Sequence, residues 1–347
     1  MRPSIREVAR EAGVSITTVS HALSGKRPVS GATRRRIQAA ARRLGYRPNQ
    51  VAAAMITGRT KTLGVLVPDI ANPFFGALVH AAEGAAAARG YAVLFSAAEL
   101  DPTLEARAVE VLHDKRVDAL LYLGGTDEEN RALRALAKAG TPIVALDEAL
   151  PTIPRGSSLV TVDNEEGGRL AARHLVDLGH TELGAITGPS GLPTARDRLK
   201  GFAEGAGELK PHRRRIRYAE AYTIDGGRSA ARDLLEREPA VTALFLANDL
   251  MALGAFEAAR ALGRVISRDL SVVGFDDIFV SALVSPALTT IRQPLARLGK
   301  EAAELAIDLI EGHATGPERR VLPVELVVRD STVPQAARRG ALAAANS

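Results

Sequence analysis

Three stretches near the amino terminus place apolar side chains at helical spacing. The apolar positions are Ile5, Val8, Ala9 and Ala12 in the first stretch, Val19, Ala22 and Leu23 in the second, and Ile37, Ala40, Ala41 and Leu44 in the third. Gly13 permits a positive-φ turn between the first two stretches, and Ser15 and Ser30 are good N-caps for the helices that follow them. Gly45 then ends the third helix. The pattern predicts a small three-helix domain whose first two helices form a helix-turn-helix.

The second of these helices keeps a polar face outside its apolar packing positions. That face carries Ile16, Thr17, Ser20 and His21. Hydroxyl groups, a methyl-rich side chain and an imidazole suit contact with phosphates, thymine methyl groups and base edges. An ordinary amphipathic helix with a solvated polar face is the alternative interpretation. We interpret the helix as a recognition helix, with predicted DNA contacts from Ser15, Ile16, Thr17, Thr18, Ser20 and His21.

A short helix is predicted after the third stretch. Pro48 breaks the preceding helix, Asn49 can cap a new one, and the alanines that follow favour helix until Gly58. At about two turns, this segment is shorter than the roughly 12 to 15 residues at which an isolated helix becomes marginal in water. It therefore needs a packing partner, and one interpretation places that partner on the rest of this chain.

From Thr62 onward, apolar runs of strand length alternate with helical patterns. Strands are predicted at 63–67, 92–95, 119–123, 143–146, 159–162, 183–186, 219–222, 243–246 and 271–275, with a helix from Pro73 to Arg89 after the first. This alternation is typical of βαβ units and of mainly parallel, doubly wound sheets. The strands fall into two similar series, so an α/β body with two half-cores in tandem is expected.

Charge is distributed unevenly along the chain. Residues 1–60 hold 12 Lys and Arg against 2 Asp and Glu, a net charge of +10, whereas the remaining residues hold 33 against 38, a net charge of −5. A concentrated basic patch is typical of proteins that bind the phosphate backbone of nucleic acids, and a solvated basic face without a partner is the alternative. Because the patch coincides with the predicted helix-turn-helix, we favour DNA.

Several classes of function are disfavoured by composition. The chain has no cysteine, and its seven histidines are scattered without metal-binding spacing, so no disulfide, metal or cofactor is expected. Charged residues occupy the amino terminus where a signal peptide would need an apolar run, and no apolar run approaches the length of a membrane span. A cytoplasmic location is therefore expected. Phosphate-binding glycine loops and nucleophile elbows are also missing, which argues against an enzyme.

The spacing of motifs along the whole chain resembles that of the LacI/GalR family of bacterial transcription regulators. The amino-terminal motifs are Ile5-Arg6-Glu7-Val8-Ala9, Gly13-Val14-Ser15, Thr18-Val19-Ser20, Ser30, Thr33-Arg34 and Leu44-Gly45-Tyr46-x-Pro48-Asn49. Later in the chain they are Asn72-Pro73-Phe74-Phe75, Asp163-Asn164, Leu178-Gly179-His180, Ala247-Asn248-Asp249 and Val272-Val273-Gly274-Phe275-Asp276-Asp277.

The resemblance implies a domain organisation. A helix-turn-helix DNA-binding domain is expected at 1–47, a hinge helix and linker at 48–61, and an effector-binding and dimerisation core at 62–332. The core is expected to have two periplasmic-binding-protein-like lobes, one from about 62–161 plus 291–321 and the other from about 162–290 plus 322–332. Residues 333–347 are expected to form a disordered tail; because they show no leucine heptad, we expect a homodimer rather than a tetramer.

The resemblance also assigns roles to the predicted hinge. In the family this helix pairs with its copy from the second subunit in the minor groove, and the residue matching Met55 acts as an apolar wedge between base pairs. Leucine is usual at that position, and methionine is close to it in volume. Asn49 and Met55 are therefore predicted to contact DNA.

Polar and aromatic side chains follow several of the predicted strands, where ligands of open α/β sheets bind. The resemblance implies that Arg198, Asn248 and Asp276 bind the hydroxyl groups of a sugar or the polar groups of another small effector. Three alternatives stay open: Asp69 and Asp163 as helix caps, Phe74 as a core residue, and Arg198 in an ion pair with Asp197 or Glu204. The predicted effector-binding residues are Asp69, Phe74, Phe75, Asp147, Arg198, Tyr222, Asn248 and Asp276.

These observations together predict a sequence-specific transcriptional regulator. It is expected to be a homodimer that binds a pseudo-palindromic operator, represses genes of sugar uptake or catabolism, and responds to a sugar-like effector in the core. A regulator that responds to nucleosides or purines as corepressors is one alternative, because purine-responsive members of the family tighten DNA binding on ligand binding. A stand-alone sugar-binding protein is the other, and the basic amino-terminal domain argues against it.

Overall fold

The computed structural model describes residues 3–24, 27–46, 54, 58–99, 101–124, 130–149 and 151–335. The chain divides into two compact units, Met1–Lys61 and Thr62–Ser347. Each unit has its own hydrophobic core.

The amino-terminal unit contains three helices, α1 (Ile5–Ala12), α2 (Ile16–Ser24) and α3 (Gly31–Leu44), in its described residues. Val8, Val19 and Ile37, one from each helix, are completely buried in its core. Gly13 has a φ of 60° in the turn between α1 and α2, and its amide donates to the carbonyls that end α1. The predicted helix-turn-helix is confirmed. The predicted hinge helix, with Asn49 and Met55, lies outside the described residues.

The carboxy-terminal unit contains two six-stranded sheets in the part of the chain that the structure describes. The first sheet has the order β11-β5-β4-β3-β1-β2, with strands β1 (Thr62–Val67), β2 (Ala92–Ala97), β3 (Ala119–Tyr122), β4 (Ile143–Leu146), β5 (Ser158–Val162) and β11 (Arg319–Leu322). The second has the order β12-β10-β9-β8-β6-β7, with β6 (Leu183–Thr187), β7 (Ile216–Tyr218), β8 (Ala243–Leu246), β9 (Ser271–Asp276), β10 (Thr289–Arg292) and β12 (Glu325–Val327). All pairings are parallel except β10 with β12, so the expected parallel α/β architecture is confirmed.

Helices cover both sheets and define two lobes. Lobe one is the first sheet with α4 (Pro73–Ala88), α5 (Pro102–Asp114), α6 (Arg131–Lys138) and α11 (Leu295–Glu311). Lobe two is the second sheet with α7 (Asn164–Asp177), α8 (Pro193–Ala206), α9 (Ile224–Arg237) and α10 (Asp249–Ala261). Short 3₁₀ turns lie at Gly207–Leu209, Arg213–Arg215 and Phe279–Ala282.

Close packing of α7 on α8 fixes the helix that carries Arg198. A Cβ atom on Gly201 would lie 1.8 Å from the Glu165 carbonyl oxygen, and one on Gly168 would lie 2.1 Å from the carbonyl oxygen of Arg198. Only glycine permits such an approach of two helix backbones. Substitution at either glycine therefore has to displace α8 from its place beside the sheet.

The chain crosses between the lobes three times in this unit, after β5, after β10 and after β11. The second crossing lies at Gln293 and Pro294, because Thr289–Arg292 pairs with β9 and therefore belongs to lobe two. We expected lobe one to resume at residue 291, two residues earlier. Residues 333–335, expected in the tail, bond to lobe two: the Val333 amide donates to Ser271 Oγ at 3.1 Å and the Gln335 amide to the Leu178 carbonyl at 2.9 Å.

One predicted strand is wrong. Residues 219–222 form a bend, and the strand β7 lies just before them at Ile216–Tyr218. This strand is at the edge of its sheet, so it does not need a continuous apolar sequence. Arg217 lies in its middle, and the side chain of Arg217 bonds to Asp233 on α9. Residues 219–222, which suggested a strand, instead lead into the cleft that Tyr222 lines.

Candidate ligand cleft and nucleic-acid interface

A cavity of about 370 Å³ lies between the two lobes, at the carboxyl ends of β1, β4, β8 and β9. Its lining includes every residue that the sequence singles out for effector binding: Asp69, Phe74, Phe75, Asp147, Arg198, Tyr222, Asn248 and Asp276. Parallel strands bring their carboxyl ends to one edge of a sheet, which explains why residues far apart in sequence meet there. The volume is within the usual range for small-molecule sites.

Arg198 forms the buried wall of the cleft, with a side chain that is only 3% exposed. Its Nε donates to Asn164 Oδ1 at 2.7 Å, and its Nη1 donates to the Ala247 carbonyl at 2.6 Å. Its guanidinium carbon lies 3.9 Å from the centre of the Phe275 ring, so the flat cation stacks on the aromatic face. These contacts hold the guanidinium in place before any ligand binds.

Two carboxyl groups, one from each lobe, flank this guanidinium. Asp147 Oδ1 lies 3.8 Å from Arg198 Nη2, and Asp276 Oδ1 lies 3.6 Å from Arg198 Nη1. Burial raises the pKa of Asp147 and of Asp276, and the nearby guanidinium only partly opposes the effect. Within the described residues, Asp147 Oδ1 is buried and accepts no hydrogen bond. A ligand hydroxyl group is the kind of donor that would satisfy it.

Both of these aspartates have backbone conformations that L residues rarely adopt. Asp147 has a φ of 71° and Asp276 a φ of 115°. Each directly follows or ends a central strand, β4 in lobe one and β9 in lobe two. Strained residues of this kind persist where the surrounding structure over-determines them, and they concentrate at functional sites. Five other non-glycine residues in the described part of the chain also have a positive φ, so the strain agrees with a functional role for Asp147 and Asp276 but does not identify them by itself.

Aromatic rings also line the cleft. Phe74 and Phe75 begin α4 and pack edge to face, with ring centres 5.1 Å apart. Phe74 is also buried in the core of lobe one, so its two interpretations are compatible. The Tyr222 hydroxyl lies 3.1 Å from Thr194 Oγ1 on α8. Flat apolar rings together with hydrogen-bonding groups suit a ring-shaped polyhydroxylated ligand.

Asn248 has a structural role in addition to its place in the cleft. Its Oδ1 accepts from the Met251 amide at 2.8 Å and so caps α10, while its Nδ2 donates to the Tyr222 carbonyl at 3.3 Å. Asp69 likewise stabilises a turn, since its Oδ1 accepts from the Ala71 amide at 2.8 Å.

Hydrogen bonds and ion pairs bear on the other open alternatives, those for Asp163 and Arg198. Asp163 caps α7 by accepting from the Glu166 amide at 2.9 Å. Asp197 pairs with Arg196, and Glu204 pairs with Arg169 on α7. The ion-pair partners of Arg198 in the described part of the chain are instead the two cleft aspartates, Asp147 and Asp276.

Several polar residues that line or support the site were not predicted, among them Asn164, Glu148 and Thr194. Asn164 orients Arg198, and Glu148 and Thr194 line the cleft and bond to each other. Asn164 lies in the Asp163-Asn164 motif, two residues after the end of β5, so its position after a strand was an available signal. Glu148 follows Asp147 and carries the same signal. Thr194 lies inside an apolar helix start, and nothing in the sequence around it indicates a site.

The predicted DNA-contacting face lies on α2 of the amino-terminal unit. Ser15 Oγ accepts from the Thr18 amide at 3.1 Å and caps the helix, as expected. Ile16 is 44% exposed although it is apolar, and Thr17 is exposed beside it. Ser20 and His21 are half-buried, and Val19 is completely buried underneath. In the first turn of α2, the structure therefore exposes Ile16 and Thr17, which were predicted to contact DNA.

No helix in the described ranges is both long enough and apolar enough to cross a membrane. No group of three or more His, Cys, Asp or Glu residues is arranged to hold a metal ion in the described parts of the chain.

Comparison with known proteins identifies the family. A model of bacterial regulatory proteins of the lacI family matches residues 4–49, and a model of a periplasmic binding protein-like domain matches residues 172–332. The HTH-type transcriptional regulator DegA of Bacillus subtilis is 34% identical over 337 residues, covering 96% of this chain and 99% of DegA.

Two solved structures extend over nearly the whole chain. The complex of the transcriptional regulator CelR with cellobiose is 34% identical, with a TM-score of 0.74 over 95% of this chain and 100% of that chain. The lac repressor dimer bound to operator and the anti-inducer ONPF is 29% identical, with a TM-score of 0.82 over 96% of this chain and 100% of that chain.

A helix-turn-helix unit joined to a two-lobed core with a ligand cleft defines a DNA-binding transcriptional regulator. The chain belongs to the lacI family of bacterial regulatory proteins.

Proposed function

We propose that this chain is a cytoplasmic, homodimeric repressor whose operator affinity is controlled by an uncharged carbohydrate in the cleft of the core. The observation that carries the proposal is the preformed Arg198 guanidinium between Asp147 and Asp276, in a cleft that aromatic rings also line. A cation and carboxylates together can donate to and accept from adjacent hydroxyl groups of one sugar ring. The cellobiose bound by CelR makes a β-glucoside a reasonable first candidate.

Charge argues for an uncharged ligand. The described lining contains five carboxyl groups, those of Asp69, Asp147, Glu148, Glu220 and Asp276, against the single guanidinium of Arg198. That guanidinium already faces two of the carboxyl groups. A phosphate would therefore enter a partly desolvated cleft whose one guanidinium is already paired, which is unfavourable for an anion.

A purine-type corepressor is the second candidate. Phe74, Phe75 and Tyr222 are flat rings that can also pack on a base, and carboxylates can accept from ring N–H groups. The ligand screen therefore includes purine bases and nucleosides.

A thermal-shift screen of the full chain tests the choice between these ligands. We expect a neutral mono- or disaccharide to raise the melting temperature, because a ligand that binds only the folded state at 100 times its Kd adds about 2.7 kcal/mol of stability. The phosphorylated form of the same sugar is the matched control and should give little or no shift. A larger shift with the phosphorylated sugar, or with a purine base, would contradict an uncharged carbohydrate.

Two side chains of α2 are proposed to read operator bases: Thr17, which is exposed in the first turn, and His21, which is half-buried in the next. We expect Thr17→Ala and His21→Ala each to change which bases are preferred, at a cost of about 1 to 3 kcal/mol at the affected position. Selection of binding sites from a random DNA library measures this directly. Gln38→Ala, which removes an exposed polar side chain from α3, is the control and should leave the preference unchanged. Equal weakening on every sequence would instead make Thr17 and His21 phosphate contacts.

A further inference from the structure

Helix α8 begins without a cap of its own. Six helices of the carboxy-terminal unit are capped by a side chain that immediately precedes them: Asn72, Asp101, Asn130, Asp163, Thr223 and Asn248. The residues at this position of α8 and of α11 are Leu192 and Pro294, and neither makes a side-chain cap hydrogen bond. The first amides of a helix have no partner within the helix, and leaving them buried and unpaired is costly.

The missing cap comes from the other lobe. Glu148 follows β4 of lobe one, and its Oε2 accepts from the Thr194 amide at 3.3 Å, in the first turn of α8 of lobe two. The Thr194 hydroxyl donates to Oε1 of the same carboxyl group. Glu148 is 8% exposed and Thr194 is 2% exposed, so water does not readily replace either contact.

An apolar contact accompanies this polar one. Leu192 and Ala195, which flank Thr194 on lobe two, are part of the same buried cluster as Tyr122 and Leu133 of lobe one. The start of α8 is thus held against lobe one by a hydrogen-bonded carboxyl group and by apolar packing. Opening the cleft has to break both.

We propose that Glu148 is a positioning residue that caps α8 across the cleft and thereby holds the two lobes closed before any effector binds. The proposal concerns the core alone and does not depend on which ligand the cleft takes. It follows that the capping bond shifts the equilibrium between open and closed cores towards the closed one. The apparent affinity of an effector then changes as well, because it scales with the population of the state that binds the effector.

The protonation of Glu148 gives this cap a dependence on pH. Burial raises the pKa of Glu148 to about 7, and the neighbouring Asp147 adds to the effect. The other ionisable groups that face it are Arg198 on α8, which lowers its pKa, and Tyr222, whose own pKa is raised so that it stays a neutral phenol. Opening exposes Glu148 to water and returns its pKa towards the ordinary value. Protons therefore favour the closed state, and this contribution is lost as the pH rises through about 7.

Spin-label distance measurements on the effector-free chain test the proposal. The sequence has no cysteine, so Arg107→Cys on α5 and Ser229→Cys on α9, both exposed, place one label on each lobe without background. Subunit exchange into excess unlabelled chain leaves one labelled protomer in each dimer. We expect one short distance for the unaltered cleft and an additional longer distance in Glu148→Ala, because the Thr194 amide then needs water. Glu83→Ala, at an exposed site on α4, is the control and should keep the short distance.

The Glu148→Gln variant tests whether Glu148 acts by capping α8 or has only a structural role. Its amide oxygen still accepts from Thr194, so we expect the short distance to persist, and to persist equally at about pH 6 and about pH 8 because the side chain no longer titrates. In the chain that keeps Glu148, the population with the longer distance should increase between about pH 6 and about pH 8. A Glu148→Ala core as closed as the unaltered one would overturn the proposal. So would an unchanged pH response in Glu148→Gln, which remains informative if the alanine variant fails to fold.

Discussion

Replacing Arg198 with methionine is expected to abolish effector binding and to lower the free energy of unfolding of the core by about 3 to 5 kcal/mol. Methionine keeps much of the volume over the Phe275 ring but removes the cation. Asp147 and Asp276 then remain buried without their shared counter-charge. Asn164 also loses the donor that it receives from Arg198.

The loss should depend on pH with a defined sign. The pKa values of Asp147 and Asp276 are raised by burial, and removing Arg198 raises them further. A carboxyl group whose pKa is higher in the folded than in the unfolded state stabilises the fold when it is protonated, and that stabilisation is lost as the pH rises. The difference between Arg198→Met and the unaltered chain should therefore be larger at about pH 8 than at about pH 5.5.

Urea unfolding at both pH values, with titration of the sugar found in the thermal-shift screen, measures these effects. Arg196→Met is the matched control, because Arg196 is an exposed arginine two residues earlier on the same helix. It should change neither stability nor binding appreciably. Normal sugar binding by Arg198→Met would show that the cleft has been assigned to the wrong residues.

Much of the amino-terminal unit could be predicted because its signals are local. The turn at Gly13 and the caps at Ser15 and Ser30 each involve residues within a few positions of one another, and the hydrogen bonds appear where they were expected. The central strands of the core were equally predictable, since strands buried on both faces need continuous apolar runs. The strand β7 was missed because it lies at the edge of its sheet and does not need a continuous apolar run. It can therefore contain Arg217, whose side chain bonds to Asp233.

The cleft shows where sequence reasoning stops. Position after a strand was enough to collect Asp147, Arg198 and Asp276 as candidates, because parallel strands place their ends together. It did not indicate that Glu148 would bond to Thr194 on the other lobe, since that contact depends on how the two lobes close. Nor did it indicate the positive φ angles of Asp147 and Asp276, which the surrounding fold imposes on residues that do not favour them.

Effector and operator are expected to change each other's affinity by the same factor, of the order of 5- to 150-fold. A ligand that contacts Asp147 of lobe one and Asp276 of lobe two favours one relative orientation of the lobes. Lys61 of the amino-terminal unit directly precedes β1 of lobe one, so the DNA-binding unit is attached to a lobe whose orientation the ligand is expected to change. A sugar that lowers operator affinity is the expected direction, by resemblance to the sugar-responsive members of the family.

Paired titrations of one preparation test the coupling between effector and operator most directly. They measure operator affinity with and without saturating sugar, and sugar affinity with and without saturating operator. The account predicts that both ratios differ from one and are equal, since coupling between two binding sites is reciprocal. The chain without residues 1–61 is the control and should bind the sugar but not the operator. A sugar that binds the cleft and leaves operator affinity unchanged would contradict control of DNA binding by the effector.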